Sequence, residues 1–142
     1  MRFVLGSGAV AAVMIVSTTM GADAREVERE CSSGRYDVMS LDAEFESWVR
    51  SGKVRRYFDM DLDIERTKGF SPGQIVRFDV RGRTVAERPL VRERDGDLAA
   101  EIVFRSWRSG AQAFPPGFPR ITRGTLVSVS VDGEVLLRCR LR

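Results

Sequence analysis

The sequence predicts an all-β fold: an antiparallel β-sandwich of about seven strands, immunoglobulin-like in character, after a cleaved N-terminal signal segment. Three observations predict it. Apolar and polar residues alternate with period two through most of residues 37–142, the pattern of strands with one buried and one wet face. Turn signals recur between the alternating segments, at Ser51-Gly52, Ser71-Pro72-Gly73, Arg81-Gly82, Asp95-Gly96, Pro115-Pro116-Gly117 and Asp132-Gly133. The segments themselves are short, and about seven short antiparallel strands in a chain of this size fit a sandwich.

The elements follow in chain order. Arg2 is a basic n-region, Phe3–Val16 is an apolar run broken only by Gly6, Ser7 and Gly8, and Ala22-Asp23-Ala24 fits a small-x-small cleavage site. As a helix the run rises about 21 Å, short of a hydrocarbon core of roughly 30 Å. Residues 1–24 are therefore read as a signal peptide, which places the protein in the periplasm or outside the cell, and the mature chain holds no apolar run long enough for a transmembrane segment. Residues 25–36, opening "REVERE" and including Cys31, are charged and read as a flexible leader. Residues 37–142 make a single domain.

The first strand spans roughly 37–49, with Met39, Leu41, Ala43 and Phe45 alternating with Ser40, Asp42, Glu44 and Glu46. Leu41, Phe45, Trp48 and Val49 also have helical spacing, with Ser40 as a possible N-cap. The strict alternation, followed by Ser51-Gly52 and a second alternating segment at 54–65, favours a hairpin over the short helix. Further strands are predicted at 74–80, 83–94, 98–107, 124–131 and 134–141. Pro89 has no N–H to give a ladder, so the fourth strand is an edge or splits in two. The buried Trp between paired cysteines that marks true immunoglobulin domains is missing, so the resemblance is one of architecture.

Composition excludes several chemistries. The chain has no histidine, which removes Ser-His-Asp and Cys-His catalysis and His-ligated metal sites. The two cysteines, Cys31 and Cys139, lie in an oxidising compartment if the chain is exported and are expected to pair. A loop that long gives roughly 4–5 kcal/mol in the chain-entropy picture. No pattern asks for a cofactor.

The densest acidic stretch is "FDMDLDIE", residues 58–65. A calcium loop counted from Asp59 would carry acids at positions 1, 3 and 5, but Ile64 stands where the turn needs Gly and Phe70 where it needs Glu. On a strand, carboxylates two residues apart are separated by roughly 6.6 Å, too far for one ion to collect three. The stretch reads as a strand with Phe58, Met60, Leu62 and Ile64 inward. Its acids are then solvated or paired with Arg from a neighbouring strand, with no metal site. On that reading Asp61→Asn costs about 0–1 kcal/mol.

Two features are candidates for contact with a partner. One is the stiff connection "AFPPGFPR", where Phe114 and Phe118 sit among Pro115, Pro116 and Pro119. One ring is expected to plug the sandwich, and Phe118, bracketed by Gly117 and Pro119, to face outward. The other is the Arg-rich run holding Arg81, Arg83, Arg92 and Arg94. It lacks interleaved aromatics, so nucleic acid is not the expected partner. The function these features imply is a small exported, non-catalytic binding or assembly-accessory module that contacts another envelope or extracellular protein. The alternatives are a binder of anionic surface polymer or lipid headgroups through the Arg-rich face and, least favoured, a small carboxylate-dependent hydrolase.

Overall fold

A computed structural model describes residues 26–35, 38–65 and 69–142. The expected signal peptide lies outside the described residues. Among the described residues nine strands form two antiparallel sheets: β1 (Val27–Arg35), β2 (Met39–Arg50), β3 (Lys53–Ile64), β4 (Ile75–Val80), β5 (Arg83–Pro89), β6 (Val91–Arg92), β7 (Leu98–Arg105), β8 (Leu126–Val131) and β9 (Glu134–Arg140). One sheet has the order β1-β2-β3-β7-β6 and the other β5-β4-β8-β9. Leaving β1 aside, this is the strand order of an immunoglobulin-like sandwich: four strands as in its A-B-E-D sheet, four as in its C′-C-F-G sheet. A single 3-10 turn, Gly110–Gln112, sits in the long β7–β8 connection. No helix among the described residues is long and apolar enough to cross a membrane.

The core is the meeting of the two apolar stripes. Leu41, Phe58, Met60, Leu62 and Ile64 from one sheet face Val76, Phe78, Val80, Val127 and Val129 from the other, all fully buried. The hairpin reading of residues 39–64 holds. β2 pairs with β3 from Met39↔Ile64 to Arg50↔Lys53, and the burial of Leu41, Ala43 and Phe45 follows period two. The turns Ser51-Gly52, Arg81-Gly82 and Asp132-Gly133 have positive φ at both central residues, the geometry whose twist matches the flanking strands.

Two expectations change, the leader and the strand count, and the break expected at Pro89 is found. Residues 27–35 are a strand, not a flexible leader: β1 pairs with β2 from Val27↔Ser47 to Arg35↔Met39. Its period-two pattern is Val27, Arg29 and Cys31 on the inner side against Glu28, Glu30 and Ser32 on the outer side, and an Arg in an inward slot hides it. The strand predicted at 83–94 splits at Pro89 into β5 and β6, each an edge of a different sheet. Leu90 between them is buried, and its N–H donates to the Gln74 carbonyl at 2.8 Å. That residue anchors the switch from one sheet to the other. The count among the described residues is therefore nine, against about seven expected.

Cys31 and Cys139 are bonded, with Cα atoms 5.8 Å apart. The bridge joins β1 to β9 and so ties the edge of one sheet to the edge of the other. Beside it the Arg142 N–H donates to the Glu30 carbonyl at 3.1 Å. Loss of the bridge by Cys139→Ala is expected to lower the unfolding free energy by about 2–5 kcal/mol. Urea melts of the two proteins measure it, and coincident curves would show that the edges hold without the bond.

Candidate functional site at the arginine-rich end of the sandwich

The β2–β3 hairpin is longer than its neighbours, and its tip carries Val49 and Val54 exposed at 42% and 61%. The β7–β8 connection, residues 106–125, folds over the same end. The Ser106 N–H donates to the Arg56 carbonyl at 2.9 Å, and the Arg56 N–H to Ser106 Oγ at 2.8 Å. Residues 115–118 then make a tight turn, with the Phe118 N–H donating to the Pro115 carbonyl at 3.1 Å. Pro116 and Gly117, the latter at φ 68°, are the residue types a type II turn needs at its two central positions.

The turn reverses the chain and drives Phe118 inward, contrary to the outward orientation expected of it. Its ring lies 5.2 Å from Phe58, 5.8 Å from Phe104 and 4.9 Å from Phe114, each edge-on. Phe114 lies 5.7 Å from Phe104. Both loop rings are half-buried and pack on the open end of the core, where Phe58 and Phe104 need cover. Edge-on pairs add about 0.5–1.5 kcal/mol each to burial. Pro115 and Pro119 are half-buried beside them, and Pro116 is exposed.

Between this loop and the projecting hairpin lies a cleft of ≈ 470 Å³. Val27, Phe45, Phe118 and Ile121 supply apolar walls, and Arg29, Arg56 and Arg120 supply three guanidinium groups. None of the three has an acidic partner among the described residues. The Arg56 guanidinium lies over the Phe114 ring, 5.0 Å from its centre. Arg29 Nε is buried without a hydrogen-bond partner. A second hollow at the same end is lined by Arg81, Arg123 and Arg140.

The four arginines singled out in the sequence are not one surface. Arg81 and Arg83 stand at this end, with Arg83 Nη1 donating to the Gly117 carbonyl at 2.6 Å and holding the turn. A Cβ on Gly117 would meet that guanidinium at 2.9 Å. Arg92, the last residue of β6, and Arg94, in the β6–β7 turn, stand at the far end, where Arg92 Nη1 donates to the Gly96 carbonyl at 2.9 Å. The far end is acidic: Asp63, Glu65, Glu93, Asp95 and Asp97 line one hollow there. Sequence reasoning missed Arg29, Arg56 and Arg120. For the first two the available signal was position: each takes an inward slot at the end of an apolar stripe. Arg120 closes the Pro-rich loop and carries no such signal.

The acids of residues 58–65 lie on the outer face of the five-stranded sheet. The register sets Asp59 opposite Glu44, Asp61 between Asp42 and Glu101, and on β1 Glu28 and Glu30 opposite Glu46 and Glu44. Directly across the strands they meet like charges, and among them Asp59 also feels a stabilising arginine, Arg105 on β7. Burial, followed by repulsion from Asp63, Glu101, Asp42 and Asp59, pushes Asp61 up to about 6. Burial raises Asp59, against a 2.7 Å hydrogen bond donated by the Tyr57 hydroxyl. Glu44 and Asp63 are raised by burial and by neighbouring acids. Among the described residues no group of three converges to hold a metal ion. These carboxylates line an open sheet face, not the cleft.

No family of known sequences, no curated protein and no solved structure matches the chain.

The stacked acids reverse the expectation for Asp61. Its folded pKa stands above the ordinary 3.8, so the folded state holds the proton more tightly and loses stability as pH rises from about 4 to about 6. Asp61→Asn is therefore expected to stabilise the protein at pH 7, by roughly 0.5–1 kcal/mol because the group is half-exposed and screened. The gain should vanish below pH 4. Melts of both proteins across that range test it, and a mutant weaker than the parent at pH 7 would contradict it. At the cleft, Phe118→Ala is expected to cost about 2–4 kcal/mol, near the lower part of the range for large core rings because Phe118 is only half-buried. An unchanged urea midpoint would return Phe118 to the solvent-facing role.

Proposed function

We propose that the protein is a small exported, non-catalytic binding module that contacts another envelope or extracellular protein through the arginine-rich end of its sandwich. The observation that supports this reading is the cleft beside the β2–β3 hairpin. It combines an apolar lining of Val27, Phe45, Phe118 and Ile121 with three guanidinium groups that meet no acid among the described residues. Apolar anchors beside arginines are the composition of binding hot spots. The rigid loop adds to this, since its residues are already ordered by the aromatic cluster and little entropy is lost on contact. Export is supported by the signal-like N-terminus and by a cystine that persists in oxidising compartments.

A second reading, contact with anionic surface polymer, is favoured by one observation: Arg81, Arg123 and Arg140 line a further hollow at the same end. The two differ in salt dependence, because polyanion binding through several cations weakens steeply with ionic strength. The test is capture from native envelope extract by the exported protein and by its Arg56→Gln and Arg138→Gln variants, at low and physiological salt. Arg56→Gln is expected to lose about nine-tenths or more of the captured partner, as for a charged hydrogen bond worth about 1.5–3 kcal/mol. Arg138→Gln, on the exposed edge strand β9, is expected to lose none. Equal capture by both variants would remove the cleft from the interface.

A further inference from the structure

We infer that the cleft takes an extended acidic peptide segment, with a carboxylate engaging the Arg29, Arg56 and Arg120 guanidinium groups and a neighbouring apolar side chain resting on Phe118 and Ile121. The inference rests on the reading of this end as the binding end and names its ligand. Three observations carry it together.

The first is the chemistry of the walls. A guanidinium presents two parallel N–H donors matched to the two oxygens of a carboxylate. Arg29 Nε has no acceptor among the described residues, so its own chain leaves this guanidinium short of hydrogen bonds. The second is the mixture of surfaces. The arginines alternate with Val27, Phe45, Phe118, Pro119 and Ile121 around one hollow, so a ligand filling it needs an apolar part within reach of its acid group. A side chain and its neighbours on a peptide meet that need, and a bare phosphate does not.

The third is an open backbone edge. β1 is the outermost strand of its sheet. The Glu30 carbonyl points away from β2, since it accepts from the Arg142 N–H. Alternation along the strand turns the Glu28 N–H and C=O to the same outer edge, where they meet no partner among the described residues. Glu28 stands between Val27 and Arg29, two walls of the cleft. Unpaired backbone groups of this kind receive an added strand. A lipid headgroup has no backbone N–H and C=O to match the pair that Glu28 leaves open.

The experiment uses the exported protein and a fluorescent peptide alternating glutamate with valine. The controls are the same peptide with glutamine for glutamate, a copy methylated on alternate amide nitrogens, inorganic phosphate, and phosphatidylglycerol vesicles. Binding of the glutamate peptide is expected, weakened about tenfold or more in the glutamine copy and weakened also by amide methylation. Arg56→Gln and Arg120→Gln are each expected to weaken it by about tenfold. Arg120 is exposed, so its variant keeps the fold even if Arg29 or Arg56 variants do not. Arg138→Gln and phosphate are expected to have no effect. Equal binding of the glutamate and glutamine peptides would overturn the role of the carboxylate. Binding of vesicles and not of peptide would overturn the inference in favour of headgroups. Failure of every probe, with envelope capture still lost in Arg56→Gln, would overturn the ligand class alone. Failure of every probe with capture unaffected would overturn the binding end as well.

Discussion

The contact between two apolar stripes sets almost everything else in this molecule. A strand side chain can point only in or out, and the inward set is chosen by burial of Phe58, Met60, Leu62 and Ile64 against Phe78, Val127 and Val129. A slip of one residue would send all of these to water. Once that parity is fixed, the residues between them have no choice of face. The acids of β2 and β3 are forced onto one side of the sheet, and the register Asp42↔Asp61 and Glu44↔Asp59 brings like charges together. Electrostatic frustration on the outer face is a by-product of packing on the inner one, because like charges directly opposite cost far less than a misplaced stripe.

The same parity explains the basic end. Where the two sheets overlap, inward slots hold apolar residues. The β2–β3 hairpin runs past the overlap, and there the inward slots hold Ser47, Val49, Val54 and Arg56. On β1 the corresponding slot holds Arg29. Cations that would be intolerable a turn further into the core become cleft walls where the second sheet stops. The loop carrying Phe114 and Phe118 completes the site by covering the core edge, and Arg83 fastens it through the Gly117 carbonyl. Acids gather at one end and on one face, and the arginines of the cleft at the other end. Arg77 and Glu87 do pair, at 3.3 Å, but both are exposed, and such a contact adds little.

Much of the fold was legible in the sequence, and the limits have physical causes. Period two and the X-Gly turns located β2, β3, β4, β7, β8 and β9, since both signals are local. Pro89 marked a break, but which sheet each half joins depends on Leu90 finding a place in the core. β1 was illegible because hydrophobic patterning does not expect Arg29 in an inward slot. The disulfide partner was legible by counting cysteines. The cleft was much less so: its walls come from β1, β2, β3 and the β7–β8 connection, and their meeting is a property of the closed sandwich. The outward placement of Phe118 failed for a similar reason. The Pro-Pro-Gly turn was visible, but the core edge it folds onto was not.

The disulfide also changes how the molecule carries force. Cys31 and Cys139 stand 108 positions apart in sequence, yet they lie side by side where the two sheet edges meet. A pull applied to the chain beyond each cysteine passes directly through the Sγ–Sγ bond. The seven strands from β2 to β8 hang from that bond as a closed loop and bear none of the load. For a module placed between a tether and a partner, the covalent link would act as a mechanical bypass for the core, whereas Val27 and Arg29, which lie outside the closed loop, would carry the pull into the wall of the cleft.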